Sequence, residues 1–425
     1  MRKRLSLNLI WLMILFVIPL PLVISLNQQL TASNRDLIVY DLGVFAYAWW
    51  LVSTYLALRP KWLDRLIGLP DMYLIHGLLG TLSLLAATLH KFLSFSFDQN
   101  VKNTGNIAWY LVVFGFFYAV LFLSGWLVNY FALAARLKQH LSPVFRHQVS
   151  VWIHRLNLVA IGLIFLHVHL IVRISSVSPF MFLFNAYSGI VLLLYVGHKL
   201  RRLPVRGTVV TNQPLATDTQ QVVIQSHHPK DAYQAGDFYF IAFKGLGNEA
   251  HPFSVSSAPG QTPGRVTFTI QNAGDFTGQV AQVPVNTLVR LEGPFGLFNP
   301  TIQATDATQP LILYGLGTGI APLLSLAQAY AGTHPISVIW VVHDPDQLYY
   351  SEQFEALAAQ HANFKYFEKV HRLTPTDLQE HLTSSELTQG NFYIVGPARA
   401  VITIEDQLAT IGVHRRRLHD ERLTL

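Results

Sequence analysis

Histidines and glycines carry the chemistry that this sequence offers. The chain has 18 histidines and no cysteine. Disulfides, Cys-ligated zinc, iron–sulfur clusters and thiol nucleophiles are therefore excluded, and the histidines must carry any strong side-chain nitrogen ligation. His76 and His90 lie 14 residues apart. On an α-helix that spacing is a rise of about 21 Å and an offset of about 40°, so one face carries both rings. A second apolar segment carries His154, His167 and His169. On an ideal helix His169 is offset from His154 by about 60° and His167 by about 140°, so pure geometry favours His169. Two helices that each bear an inner and an outer imidazole suit two stacked b-type haems, each iron taking one imidazole from each helix. The inner pair is then His76 with His154, and the outer pair His90 with His167 or His169. The competing reading, hydrogen-bonded packing histidines, is kept for His147 and His198 near helix ends.

Other runs suit nucleotides. Gly315-Leu316-Gly317-Thr318-Gly319-Ile320-Ala321-Pro322 joins the strand-like Pro310–Tyr314 to the helix-like Leu323–Tyr330. Glycines at such a turn let backbone N–H groups approach a pyrophosphate, although the run departs from G-x-G-x-x-G. Asn391–Val395 reads as a strand that ends at Gly396-Pro397. The segment from His251 through Pro252, Phe253 and Ser254 to Ser257 puts hydroxyls and an aromatic on one extended stretch. Gly274-Asp275-Phe276-Thr277 puts a hydroxyl at a turn that can open a helix. A flavin needs an apolar wall and N–H donors, and ordinary strand and turn chemistry accounts equally well for either run alone.

The elements that must position these groups follow from composition. The chain has 425 residues, 51% hydrophobic and 13% charged, with a mean hydropathy of +0.34. That excludes a disordered chain and argues against a wholly soluble one. Six apolar stretches precede residue 203, each near the ~20 residues of a bilayer span. They are Leu5–Leu26, Leu37–Leu58, Met72–Leu93, Ile107–Leu127, Val149–Ile174 and Pro179–Val196. The first follows Arg2-Lys3-Arg4, as a signal peptide would, but its apolar core is long and lacks a small-x-small cleavage site, so a retained helix is expected. Arg2, Lys3, Arg4, Arg59, Lys61, Arg65, Arg136, Lys138, Arg146, Lys199, Arg201, Arg202 and Arg206 collect on one side, and Arg35, Lys91, Lys102 and Arg173 on the other. The asymmetry predicts a multi-pass cell-membrane protein with both termini cytoplasmic. It also accounts for much of the net charge of +6 without a nucleic-acid partner. Beyond residue 203, Val205–Val210, Gln221–Gln225, Phe238–Lys244, Arg265–Gln271 and Val289–Glu292 predict short strands of an antiparallel β-barrel. Ile336–Val342 and its neighbours predict an α/β nucleotide-binding unit. The expected domains are an all-α six-helix transmembrane bundle over 1–203, the barrel over 204–306 and the α/β domain over 307–425.

Taken together these residues resemble the NADPH oxidase and ferric reductase superfamily over nearly the whole chain. His-Pro-Phe-Ser-x-x-Ser at 251–257 looks like its FAD motif, with Ser254 toward the flavin ring. Gly274-Asp275-Phe276-Thr277 looks like its flavin-pyrophosphate segment, Gly293-Pro294-Phe295-Gly296 like the loop that ends its barrel, and Gly315 to Pro322 like its nicotinamide-nucleotide loop. The 14-residue spacing of His76 and His90 is similar to that of its third helix. Trp152-Ile153-His154-Arg155-Leu156 followed by His167 is similar to its fifth, which implies His167 rather than His169 as the outer ligand. Three positions depart. Val395 stands where the family often has cysteine, Leu423-Thr424-Leu425 where many members have a flavin-covering aromatic, and His343-Asp344 where NADPH-specific members carry arginine. The choice between NADPH and NADH is thereby left open. No EF-hand loop is present, as in compact bacterial members.

The resemblance implies electron flow from cytoplasmic NAD(P)H through FAD and two b haems to an outer acceptor, with O2 giving superoxide or a ferric chelate giving ferrous iron. No obligatory protein partner is evident. Arg173 and Lys91 would serve outer propionates or attract an anionic acceptor, or else anchor lipid phosphates; Arg155 would serve inner propionates or belong to the topogenic charge. The rival of another class is a membrane-anchored flavin reductase whose helices are structural. A histidine proton relay is a further rival that the flavin motifs disfavour.

Overall fold

The computed structural model describes residues 2–31, 33–123, 131–141, 147–201, 207–227, 232–247 and 249–423. They form two compact units, Met1–Leu63 with Leu69–Leu200, and Asp64–Gly68 with Arg201–Leu425.

The first unit is helical. Helices α1 (Arg2–Leu12) and α2 (Leu20–Asn27) are joined through a widened π turn at Met13–Val17. They are followed by α3 (Asn34–Leu56), α4 (Lys61–Ile67), α5 (Leu69–Leu93) and α6 (Gln99–Phe122). Then come α7 (Ala132–Leu141), α8 (His147–His154), α9 (Leu156–Leu170), α10 (Val172–Ser175) and α11 (Ser178–Arg201). Side chains cap the long helices: Ser33 accepts from the Asp36 N–H, and Asp98 accepts from the Asn100 and Val101 N–H groups. Six stretches are long and apolar enough to cross a membrane: Ser6–Asn27, Arg35–Leu56, Leu69–Leu93, Gln99–Phe122, Val149–Leu170 and Ser178–Leu200.

Two span readings need correction. The fourth begins at Gln99 rather than Ile107, because the Asp98 cap starts the helix in a polar stretch that periodicity ignores. The expected end of that span, at 124–127, lies outside the described residues, as do Arg146, Arg202 and Arg206 of the charge pattern. The fifth is not one helix. The Arg155 N–H is shared between the Val151 and Trp152 carbonyls, each at 3.1 Å, and a new helix opens at Leu156. It ends at Leu170, where Ile171 turns extended.

The second unit has two sheets. Strands β1 (Gly207–Ala216), β2 (Thr219–Ser226), β3 (Phe238–Phe243), β4 (His251–Ser254), β5 (Arg265–Gln271) and β6 (Leu288–Phe295) form a six-stranded sheet in the order β4-β3-β6-β1-β2-β5. All its pairings are antiparallel. A single bridge between Val255 and Phe268 links the two edges. Where a barrel was expected, the pairing is that of a sheet whose edges meet at one point.

Strands β7 (Leu311–Leu316), β8 (Ile336–Val342), β9 (Phe364–Val370), β10 (Asn391–Pro397) and β11 (Leu418–Leu423) form a parallel sheet in the order β11-β10-β7-β8-β9. Its β-branched β8 is buried along its whole length, as a strand covered on both faces must be. Helix α12 (Phe298–Gln303) precedes this sheet, and α13 (Ile320–Tyr330), α14 (Ser351–Gln360), α15 (Pro375–His381), α16 (Ser384–Gln389) and α17 (Ala398–Thr410) join its strands.

Residues 64–68 pack in the second unit although they fall in sequence between two helical spans. Arg65 donates both guanidinium arms to the fully buried Asp237 at 2.7 Å each, and to the Gly296 carbonyl at 2.8 Å. Asp64 accepts from the Gly296 N–H at 3.0 Å. Gly296 has φ +144°, and a Cβ there would lie 2.8 Å from an Asp237 carboxylate oxygen. Burial pushes the Asp237 carboxyl up to about 6 against the pull of Arg65. Arg65→Ala leaves a buried carboxylate unpaired and is expected to destabilise the unit by about 3 kcal/mol at neutral pH. A carboxyl raised on folding favours the fold at low pH and loses that contribution as pH rises through its folded value. The deficit should therefore shrink as pH is lowered past about 6. Thermal unfolding of the full-length variant across pH 5 to about 8 checks this, and an unchanged deficit at both ends contradicts it.

Candidate functional site

In the helical unit the imidazoles meet in twos. The ring centroids of His76 and His154 are 5.9 Å apart, and those of His90 and His167 are 6.5 Å apart. Both rings on α5 turn one nitrogen to α3. The Nδ1 of His76 is 3.0 Å from the Ser53 carbonyl and 2.8 Å from the Ser53 hydroxyl. The Nδ1 of His90 is 2.7 Å from the Val39 carbonyl. On α9, the Nδ1 of His167 is 2.9 Å from the Val101 carbonyl of α6. An Nδ1–H donated to a carbonyl leaves Nε2 as the ring's lone-pair nitrogen, which is the tautomer a metal requires.

Glycine makes two of these approaches possible. Val39 is followed four residues later by Gly43, and Val101 by Gly105. A Cβ on Gly43 would lie 3.1 Å from His90, and one on Gly105 3.1 Å from His167. A glycine one turn on uncovers the helix carbonyl, so an imidazole can reach an oxygen already used within its helix.

The ideal-helix argument for His169 fails here. The helix breaks at Arg155, and beyond the break it is His167 that faces His90. The His169 ring bonds back to the Phe165 carbonyl at 2.8 Å and packs 4.3 Å from the Phe165 ring and 6.0 Å from that of Phe184. Among the described residues no three His, Cys, Asp or Glu side chains converge on one point. Two imidazoles are too few for a bare ion. They suffice for a metal in a macrocycle that brings its own nitrogens.

The second unit assembles the other runs. In β4, His251, Pro252, Phe253 and Ser254 pair with Ile241, Phe240, Tyr239 and Phe238 of β3. The Phe276 ring stacks on His251 at 4.0 Å and lies 6.2 Å from Phe253. The two runs expected to hold a flavin thus share one aromatic wall. Beside it, Thr277 accepts the Ala273 N–H through its hydroxyl and donates to the Gly274 carbonyl, while a Cβ on Gly274 would meet nothing within 4 Å. The Ser257 hydroxyl is occupied structurally, by Tyr233 at 2.8 Å and by the Thr267 N–H at 3.2 Å.

The glycine run leaves β7 through Gly315 and a tight turn at Gly317–Gly319. Helix α13 follows, with Pro322 in its first turn. Gly317 has φ +56°. Its carbonyl accepts from the Trp340 indole at 2.9 Å, and Thr318 donates to Gln271 of β5 at 3.3 Å. A Cβ on Gly319 would lie 2.2 Å from the Val395 carbonyl, and one on Gly396 2.5 Å from the Leu316 Cβ. The run and Gly396-Pro397 therefore touch backbone to backbone. They lie at the carboxyl ends of β7 and β10, where the strand order reverses, the crevice that open parallel sheets use for ligands.

Sequence reasoning missed Glu421, which pairs in register with Val395. Burial foremost, with Asp237 and Asp64 nearby, pushes its carboxyl up to about 8. No local motif marks it. The acceptor carbonyls of Val39, Ser53 and Val101 were missed as well, since main-chain groups carry no sequence signal.

Gly319→Ala drives a Cβ into the Val395 carbonyl. It is expected to cost about 1–3 kcal/mol of stability and to raise KM for NAD(P)H at least tenfold while FAD content stays at the wild-type level. Steady-state kinetics with an artificial acceptor, alongside flavin quantitation, check this; an unchanged KM contradicts it.

Known proteins match the same segments. Residues 207–299 match the family of FAD-binding domains and residues 313–402 the oxidoreductase NAD-binding domain. The chain is 26% identical over 176 residues to the 2-halobenzoate 1,2-dioxygenase electron transfer component of Burkholderia cepacia, covering 38% of this chain and 50% of that one. It is 26% identical over 186 residues to the NAD(P)H-flavin reductase of Vibrio harveyi, covering 42% and 76%. A solved cytochrome P450 reductase of Amycolatopsis aligns at 20% identity and a TM-score of 0.47, over 52% of this chain and 69% of that one. The chain spans between half and three-fifths of the length of the first three curated relatives it matches. Residues 207–299 are thus an FAD-binding domain and residues 313–402 an oxidoreductase NAD-binding domain.

Proposed function

We propose that this chain carries electrons across a membrane, from NAD(P)H on the cytoplasmic side through FAD and two b-type haems to an acceptor on the outer side. Oxygen, reduced to superoxide, is the acceptor we assign; a ferric chelate would use the same path. The reading includes helices over 1–203 that span the bilayer with both termini cytoplasmic, an FAD domain over 204–306 and a nucleotide domain over 307–425. The observation that carries it is the pair of imidazole couples, His76 with His154 and His90 with His167, in a chain that also has FAD- and NAD-binding domains.

When bound, the nicotinamide supplies two electrons as hydride, the flavin accepts two and passes them on singly, and haem iron carries one at a time. The protein's part is placement. His251, Phe253 and Phe276 offer an apolar wall to a flavin ring, and Ser254 and Thr277 are the hydroxyls we assign to its binding. Gly315, Gly317 and Gly319 turn N–H groups toward a pyrophosphate, Pro322 fixes the first turn of the helix behind them, and Gly396-Pro397 keeps the approach to the strand ends narrow. His76 with His154 and His90 with His167 would each hold one haem iron, and such an iron would pass electrons to an acceptor without binding it.

An anaerobic absorbance spectrum of the purified protein tests the reading. Wild type should show a b-type Soret band and α-band that are reduced by NAD(P)H with added FAD. His76→Ala and His90→Ala should each lose about half of the haem, since each removes one of two sites. Absence of haem from wild type, even after reconstitution, defeats the proposal. That outcome would favour a second reading, a membrane-anchored flavin reductase, for which the similarity to the Vibrio harveyi enzyme speaks.

A further inference from the structure

The four imidazoles are not held alike. Three turn Nδ1 to a main-chain carbonyl, those of His76, His90 and His167. His154, the last residue of α8, does not. Among the described residues its Nδ1 meets only the side-chain amide of Asn157, whose Nδ2 is 3.4 Å away. Two nitrogens face each other there, and the Asn157 Oδ1 is buried with no hydrogen-bond partner.

A neighbour on α6 explains the arrangement. A Cβ on Gly115 would lie 2.8 Å from the Asn157 Oδ1 and 3.1 Å from its Nδ2. Gly115 thus admits the Asn157 amide as Gly43 admits His90 and Gly105 admits His167. In those two cases the ring bonds to the carbonyl four residues before the glycine, Val39 and Val101. Four residues before Gly115 stands Leu111. The two ends of an amide have the same shape, and their assignment follows from their partners. Exchanging them puts a donor over the helix carbonyl that Gly115 uncovers, and an acceptor against His154.

We propose that Asn157 is the positioning residue for His154: its Nδ2 donates to the Leu111 carbonyl and its Oδ1 accepts from the His154 Nδ1–H. The amide extends a main-chain carbonyl by one side chain, to a ring too far away to reach it directly. The proposal rests on the haem reading above, because a metal on Nε2 requires the proton on Nδ1. The contact is also the longest of the four Nδ1 contacts, at 3.4 Å against 2.7 to 3.0 Å to carbonyls. One of the two irons therefore has an adjustable ligand whose basicity is set by a side chain.

Potentiometric titration of the haem α-bands in purified full-length protein tests this without turnover. Asn157→Leu keeps the bulk and removes the acceptor. A less basic imidazole favours ferrous iron, so one midpoint should rise by about 59 mV or more, a tenfold change in its one-electron equilibrium, while the other stays fixed. Gly115→Ala keeps Asn157 but crowds its amide, and should raise the same midpoint even if the leucine variant fails to hold haem. A packing role alone would leave the midpoints of both variants at wild-type values, and that result, with two haems retained, overturns the assignment. Wild-type protein without any haem defeats the haem reading itself and this proposal with it; two haems with unshifted midpoints defeat this proposal alone.

Discussion

An imidazole in an apolar helix bundle has two nitrogens to satisfy and few groups to satisfy them with. Helix carbonyls are present in numbers, but each already serves its own helix and lies under the side chain one turn on. The helical unit resolves this by removing that side chain. Gly43 and Gly105 uncover the Val39 and Val101 carbonyls, and His90 and His167 close on them. Ser53 adds its hydroxyl to its carbonyl for His76. These bonds set which nitrogen of each ring stays available. They also fix where α3 and α6 must pack against α5 and α9, so helix packing and ring orientation follow from one constraint.

The same device recurs in the second unit on strands. Gly319 and Val395 touch main chain to main chain, and Gly396 packs against the Leu316 side chain. Close approach at the strand-order reversal narrows a crevice whose walls are backbone, which suits a ligand recognised through its phosphates. In the antiparallel sheet the close contacts are aromatic instead: Phe276 gathers His251, Phe253 and Phe243 around it.

Much of this was legible in the sequence wherever a side chain carried the signal. Arg265–Gln271 and Ile336–Val342 are strands with the expected bounds, because burial of β-branched runs is written in residue type. The helical spacing of His76 and His90 placed both rings on one face of α5. Strands β9 and β11 were not legible. Phe364–Val370 mixes lysine, glutamate and aromatics, and Leu418–Leu423 is polar at its four central positions, so both owe their strand state to pairing with buried neighbours. The break at Arg155 was also hidden, since no glycine or proline stands there. Hidden too was the role of main-chain oxygens, which every residue has and none announces.

Residues 64–68 complete a unit whose remaining residues begin at 201. In covalent terms the flavin-binding half of this protein is not a segment that can be cut out. A chain that began at the junction would place Asp237 in its interior with neither Arg65 to neutralise it nor Asp64 to hold the Gly296 turn. The five-residue insert also orders biosynthesis: a short piece made early must wait, through most of the helical unit's synthesis, for the sheet that encloses it. The boundary between the two units is therefore topologically shared, and a graft of a foreign FAD- and NAD-binding unit onto these helices would have to bring its own partner for that loop.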